Sequence, residues 1–379
     1  MNMKILIVDD NKDFGTALSD IVESFDYRTK ILQTPDDAIS FVDEHNPGIG
    51  AIMLDIEFAP DENKDGIDLL KHFRKEYPQI PVIMISGKGT IETAVKATKL
   101  GAVNFIEKSI ITKQKIKAVL DSAINSYHAK TEEVEIQKFL ANQGIIGKSK
   151  VMTEIGDNII KFGRTDLNVL ITGETGTGKK LVAQALHAVS RRARHPFVTV
   201  DIPNIPQELF QSELFGHVKG SFSGATESKK GLFHQAHKGT IFLDEIGDMN
   251  GNLQSNLFIP IEEKEVRRVG SVKSEEIDIR FISATDRDLV SAMKEGKFRE
   301  QLYHRLRECE IHLPPLKERK EDIPHIIDHY VSLHNHEFDE SKSFSPSAMD
   351  MMKEQNYPGN VRELTSIVRV VLQTTQKQQ

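Results

Sequence analysis

Two sets of residues in this chain have the types and spacing that phosphate chemistry needs. The first is GETGTGKK, Gly173 to Lys180, which fits G-x-x-x-x-G-K but carries Lys180 where a serine or threonine hydroxyl would help hold magnesium. Gly173, Gly176 and Gly178, with Glu174, Thr175 and Thr177 between them, let backbone N–H groups approach phosphates. Lys179 would contact the terminal phosphates of ATP. Downstream, TIFLDE ends an apolar run in Asp244 and Glu245, a magnesium-coordinating carboxylate and a base that can orient an attacking water. The second set is Asp9, Asp10 and Asp55, with Ser86 and Lys108. Three carboxylates at one point repel each other unless a hard cation joins them, and oxygen ligands in a small site suit Mg2+. A metal-supported carboxylate can attack a phosphoryl donor. Lys108 can then bind the added group and Ser86 can hydrogen-bond it.

Such residues need elements that bring them together. MKILIV ends in Asp9 and Asp10, AIML precedes Asp55, PVIMI precedes Ser86, and VNFI precedes Lys108. Helix-like segments, such as Lys12 to Phe25 and Gly66 to Tyr77, lie between these runs. Alternating strands and helices predict a doubly wound parallel sheet, whose site lies at the carboxyl ends of the strands. One aspartate alone would be read as a helix cap; five residues at matching strand ends point to a site. Further on, NVLIT at 168–172 is a predicted strand, and KLVAQALHAVS after the glycine loop has helical spacing. Strand, glycine loop and helix are the context a P-loop requires.

The 379 residues suffice for two or three domains, and the composition, 39% hydrophobic and 28% charged, is that of a globular protein. A net charge of −7 excludes a chain that is basic all over and built to coat nucleic acid. The single cysteine, Cys309, allows no disulfide framework within one chain. No signal peptide opens the sequence and no uninterrupted apolar run is long enough to span a bilayer, so a cytoplasmic protein without membrane attachment is expected. Ile116, Leu120, Ile124 and Tyr127 form an apolar stripe at helical spacing that Val134 would continue. Two readings of it are open: a face packed on its own domain, or a dimer-forming helix.

The aspartates, Ser86 and Lys108 resemble a response-regulator receiver domain over roughly the first 120 residues. The resemblance implies a flavodoxin-like fold, Asp55 as the phosphorylation site, Asp9 and Asp10 as the acidic magnesium pair, and Phe105 as the aromatic switch. Two departures are the long stretch IEFAPDENKDG after Asp55 and Ser109 after Lys108, where the family usually has proline.

The P-loop and TIFLDE are joined by ELFGHVKGSFSGA, FREQLYHRLRECEIHLPPLKERKEDI and YPGNVREL. Together they resemble the AAA+ domain of NtrC-type, sigma-54-dependent activators over about residues 144–375. The implied organisation is a receiver at 1–122, a helical linker at 123–143, an AAA+ α/β core at 144–313 and a small helical lid at 314–379. The implied activity is ATP hydrolysis by a ring of subunits. Asp244 and Glu245 would serve Mg2+ and water, Arg299 and Arg305 would be arginine fingers reaching a neighbour's ATP, and Arg362 would be the lid's sensor arginine. The loop Gly220, Ser221, Phe222, Ser223, Gly224 and Ala225 would contact the sigma factor. The implied partners are a histidine kinase, sigma-54 RNA polymerase and further copies of the chain, as dimer and hexamer-like ring.

Besides GSFSGA at 220–225, where the family has GAFTGA so that Ser221 and Ser223 differ, four positions depart from that family's pattern. Lys180 stands where the family usually has glutamate, and Asp201 and Asp286 each replace an asparagine. Lys180 is expected either to compensate Asp201 or Asp286 or to mark a weakened ATPase. Pro260 falls inside a helix that it should kink or shorten. No helix-turn-helix follows the lid helix expected at Val361 to Leu372, so no direct DNA contact by this chain is expected. The alternative is a phosphorylation-controlled scaffold that binds ATP and acts through a partner or a DNA-binding relative.

Overall fold

The computed structural model describes residues 3–46, 48–58, 64–87 and 91–375. The chain divides into two compact units, Met1–Glu135 and Ile136–Gln379. Residues 59–63 of the stretch after Asp55, and the last four residues of the chain, lie outside the described residues.

The first unit runs β1 (Lys4–Val8), α1 (Lys12–Glu23), β2 (Arg28–Leu32), α2 (Pro35–His45), β3 (Ile49–Asp55), α3 (Gly66–Glu76), β4 (Val82–Ser86), α4 (Ile91–Lys99), β5 (Asn104–Glu107) and the start of α5 (Lys113–Asn142). The sheet is parallel, in the order β2-β1-β3-β4-β5. Alternation along the strands sorts side chains to two faces. Ile5, Ile7, Met53, Ile83 and Ile85 join one buried cluster; Leu6, Val8, Ile52, Leu54 and Met84 join the other. Both faces are covered, which is why the strands read as nearly continuous apolar runs.

The stripe on α5 resolves in favour of packing on its own unit. Ile116, Leu120 and Ile124 are buried in the first cluster and Tyr127 in the second. The stripe does not continue to Val134, which is exposed. Farther along α5, Ile136 and Leu140 are buried in the second unit's core instead.

The second unit contains α6 (Lys150–Gly163), β6 (Val169–Thr172), α7 (Lys179–Ala188), β7 (Phe197–Asp201), α8 (Gln207–Phe215), β8 (Gly216–His217), β9 (Lys229–Lys230), α9 (Leu232–Gln235) and β10 (Thr240–Asp244). Then follow α10 (Gly251–Glu262), β11 (Glu265–Arg267), β12 (Ser274–Glu276), β13 (Arg280–Thr285), α11 (Leu289–Lys294), α12 (Glu300–Leu306) and β14 (Cys309–His312). Three lid helices close it: α13 (Ile323–Phe338), α14 (Pro346–Lys353) and α15 (Asn360–Thr374). The main sheet is parallel, in the order β14-β6-β13-β10-β7. The lid has its own apolar cluster around Leu316, Ile326, Ile327, Leu364 and Val368.

Pro260 does not end its helix. α10 runs through it to Glu262, and the Glu263 amide still donates to the Ile259 carbonyl at 2.8 Å. The proline lies in the last turn, where its missing N–H removes one ladder bond.

Candidate functional sites

In the receiver-like unit, β1 and β3 are neighbours, and helices leave their ends on opposite sides. This is the switch point at which doubly wound sheets carry their sites. Val8 pairs with Leu54, so Asp9 and Asp10 emerge beside Asp55. One oxygen from each of Asp9, Asp10 and Asp55 lies within 4.8 Å of the others, with Asp10 exposed and the other two buried. Lys108, just after β5, brings its Nζ to 2.7 Å from both Asp9 Oδ2 and Asp55 Oδ2. The same Nζ stands 4.3 Å from the centroid of the Phe14 ring. Asp55 Oδ1 accepts the Ile56 amide at 2.8 Å. Burial pushes the Asp55 carboxyl up to about 6; Lys108 opposes this and the Asp9 charge adds to it. The ammonium of Lys108 is held above its ordinary value: burial works against it, but the hydrogen bonds it donates to Asp55 and Asp9 prevail. Ser86 is buried at the end of β4, and Phe105 is half-buried on the neighbouring β5. An all-oxygen donor set, open on the Asp10 side, fits a magnesium ion.

In the second unit, β6 leads into the glycine loop and α7. Gly173, Gly176 and Gly178 have φ of 149°, 82° and 108°. A Cβ on Gly176 would stand 2.2 Å from the Gly359 carbonyl oxygen of the lid, so position 176 requires glycine on both counts. The lid is tied to this loop by several bonds. Asn360 Nδ2 donates to Glu174 Oε2 at 3.1 Å and to the Thr175 carbonyl at 3.0 Å, while its Oδ1 accepts the Leu316 amide. Lys317 pairs with Glu174 at 3.2 Å, and the Arg362 amide donates to the Gly176 carbonyl. None of the Asn360, Glu174 or Lys317 contacts was legible beforehand; only the motif YPGNVREL signalled that this stretch mattered.

A cavity of about 560 Å³ opens over the loop. Thr175, Lys179, Lys180, Asp201, Asp244, Glu245, Asp286 and Arg362 are among its lining residues. Lys179 Nζ donates to the Gly173 carbonyl at 2.9 Å and pairs with Glu245 Oε1 at 3.2 Å. Glu245 Oε2 accepts the Asp286 amide, and Asp286 Oδ2 accepts the Thr175 hydroxyl at 2.7 Å. Asp201 does not hold Glu245; its Oδ2 accepts Asn204 Nδ2 at 2.7 Å. Burial raises Asp244, opposed by Lys179; it raises Glu245 as well, again opposed by Lys179. The two expected fingers are exposed and lie elsewhere. Arg299 sits just before α12 with its Nε donating to the Gly251 carbonyl at the start of α10, and Arg305 grips Glu262 with Nε and Nη2.

The loop Gly220–Ala225 is a tight turn, with the Gly220 amide on the Ala225 carbonyl at 2.8 Å. Phe222 is 40% exposed, and its ring meets that of His217 edge-on at 5.0 Å. His217 Nδ1 is 2.8 Å from Ser212 Oγ on α8. The β11–β12 hairpin docks alongside: the Val218 amide donates to Val269, and a Cβ on Gly270 would stand 2.6 Å from Ser221 Cβ.

Fold and sites define a receiver domain joined to an AAA+ P-loop unit with a helical lid. Residues 5–121 match the response regulator receiver domain, 145–312 the sigma-54 interaction domain, and 317–379 an AAA+ ATPase lid domain. The transcriptional regulatory protein ZraR of Salmonella typhimurium is 37% identical over 378 residues, covering 98% of this chain and 83% of ZraR. The DNA-binding transcriptional regulator NtrC of Azospirillum brasilense is 38% identical over 371 residues, covering 96% of this chain and 75% of NtrC. The crystal structure of NtrX from Brucella abortus in complex with ADP aligns with a TM-score of 0.58 at 32% identity, over 100% of this chain and 82% of that one. The chain belongs to the sigma-54-dependent two-component response regulators. Among the described residues no helix is long and apolar enough to cross a membrane.

Proposed function

We propose that a histidine kinase phosphorylates Asp55, that this controls assembly of a ring of subunits, and that ATP hydrolysis in the ring remodels sigma-54 RNA polymerase. The observation that carries the reading is the separation of Arg299 and Arg305 from the chain's own nucleotide cavity. The cavity holds Lys179, Asp244 and Glu245 but no arginine finger, so the chemistry needs a neighbouring copy. Asp9, Asp10 and Asp55 would hold one Mg2+ and Asp244 another, where the metal supplies charge neutralisation for phosphoryl transfer. Lys108 and Ser86 would hold the phosphoryl group on Asp55, and Phe105 would report it. Gly173 to Lys180 would cradle the phosphates, Glu245 would orient water and Arg362 would sense the nucleotide from the lid. Gly220 to Ala225, led by exposed Phe222, would engage the sigma factor.

The working units are 1–122, 123–143, 144–313 and 314–379, and the expected compartment is the cytoplasm. Asp201 and Asp286 add negative charge beside the catalytic pair, so turnover slower than in a site with neutral residues there is expected. A scaffold that holds ATP without using it draws on the same extra carboxylates. The test is ATP hydrolysis across protein concentrations, with and without an acyl-phosphate donor. Glu245→Ala and Arg299→Ala, each inactive alone, should regain activity on mixing, because mixed interfaces join an intact pocket to an intact finger. Mixtures as inactive as either variant, with an active wild type, would remove the ring mechanism. A wild type no faster than Glu245→Ala would favour the scaffold.

A further inference from the structure

Lys108 is held on three sides, and only two of the partners are carboxylates. Its Nζ stands 2.7 Å from Asp9 Oδ2 and 2.7 Å from Asp55 Oδ2. On the third side it lies over the ring of Phe14, 4.3 Å from the centroid. The negative face of an aromatic ring attracts a cation at that distance, and more strongly where water is partly excluded. Water is partly excluded here: the Lys108 side chain is 21% exposed, and Phe14 is half-buried against the core cluster of Ile5, Ile7 and Ile106.

The ring is placed by the same carboxylate that holds the lysine. Asp9 Oδ1 accepts the Asn11 amide at 2.9 Å, and Asn11, the N-cap of α1, accepts the Phe14 amide on its Oδ1 at 3.0 Å. Asp9 thus fixes Lys108 with one oxygen and the turn that presents Phe14 with the other. Both oxygens of Asp55 are engaged as well, Oδ1 by the Ile56 amide and Oδ2 by Lys108. Phosphoryl transfer from acetyl phosphate forms a bond from an Asp55 oxygen to phosphorus and breaks the donor's P–O bond, with acetate leaving. The Asp55 oxygen that bonds to phosphorus loses its charge, so Lys108 exchanges a carboxylate partner for an oxygen of the incoming group. A flexible four-carbon stem does not by itself keep an ammonium in one place during that exchange. Phe14 takes no part in the bond changes and offers the same ring face before and after them.

We infer that Phe14 is a positioning residue, whose ring face retains the Lys108 ammonium at the Asp9–Asp55 corner while Asp55 accepts a phosphoryl group. The inference rests on the reading of Asp55 as the phosphoryl acceptor and deepens it.

The charge of the ring face, not its bulk, is what this role requires. Mono-, di- and trifluorinated phenylalanine at position 14 of the full chain keep the ring while weakening its negative face. At saturating Mg2+, the rate at which Asp55 takes a phosphoryl group from acetyl phosphate should fall stepwise along that series. Phe14→Leu should be slower than wild type by roughly three- to tenfold. In chelator, with isotope-labelled lysine, the ε-methylene resonance of Lys108 should be displaced upfield by the ring current, and Phe14→Leu should abolish the displacement. Equal rates along the fluorinated series, a Phe14→Leu variant as fast as wild type, or an undisplaced Lys108 resonance would each overturn the inference. A wild type that gains no more phosphoryl group than Asp55→Asn removes the reading of Asp55 and this inference with it. A phosphorylated wild type that is indifferent to fluorination removes the role of Phe14 alone.

Discussion

Asp55 is a buried carboxyl whose folded value is raised to about 6, against an ordinary 3.8 in the unfolded chain. Between those values the folded state binds the extra proton. The stability it contributes is therefore present below about pH 3.8 and lost as pH rises through about 6. At neutral pH and without metal the ionised carboxylate is a net cost to the receiver unit. Asp55→Asn should therefore raise that unit's unfolding free energy by on the order of 1–3 kcal/mol, measured by denaturant titration in chelator. Added Mg2+ should stabilise wild type more than the variant, since only wild type keeps three carboxylates. A variant no more stable than wild type in chelator would show that Lys108 already neutralises the site in full.

Helices and strands meet the chemistry at specific joints, and one of these should titrate. His187 on α7 is buried with its Nδ1 2.9 Å from the Thr240 hydroxyl of β10, behind the phosphate loop. Burial lowers its value, and the Arg280 charge adds to that. His234 on α9 is lowered by burial too. A histidine kept neutral in the fold contributes stability above its ordinary 6.5 that is lost as pH falls below it. The melting temperature of the ATPase unit should drop from pH 7 to about pH 5.5, and replacing both histidines with glutamine should flatten that slope. Which elements were legible follows the same physics. Strands that lead into Asp9 or end in Asp55, Ser86 or Asp244 are buried on both faces and announce themselves as apolar runs. β2, RTKIL, was missed because it is a sheet edge with charged, partly exposed side chains. The site residues could be read because their chemistry restricts residue type. The bonds from Asn360 and Lys317 to Glu174 could not, because they join distant stretches whose residue types are common on any surface. Pro260 misled because its cost depends on where in the helix it falls, and it falls in the last turn.

For the whole molecule, two compact units with separate cores predict two unfolding transitions. Leu120→Ala should empty part of the receiver core and cost that transition about 2–5 kcal/mol, leaving the other unchanged. Calorimetry with an ATP analogue should move only the second transition. Coincident shifts of both would mean that the units unfold as one. Within the second unit, the lid and the phosphate loop are stitched by several bonds: Asn360 donates to Glu174 and Thr175 while it accepts from Leu316, Lys317 pairs with Glu174, and the Arg362 amide donates to Gly176. In the proposed cycle a spent nucleotide held between them would leave as those bonds open, and the residence time of ADP would then follow how often the lid lifts rather than how tightly the loop grips phosphate. Each copy of the chain would thereby carry a clock, its period written in the hydrogen bonds between lid and loop.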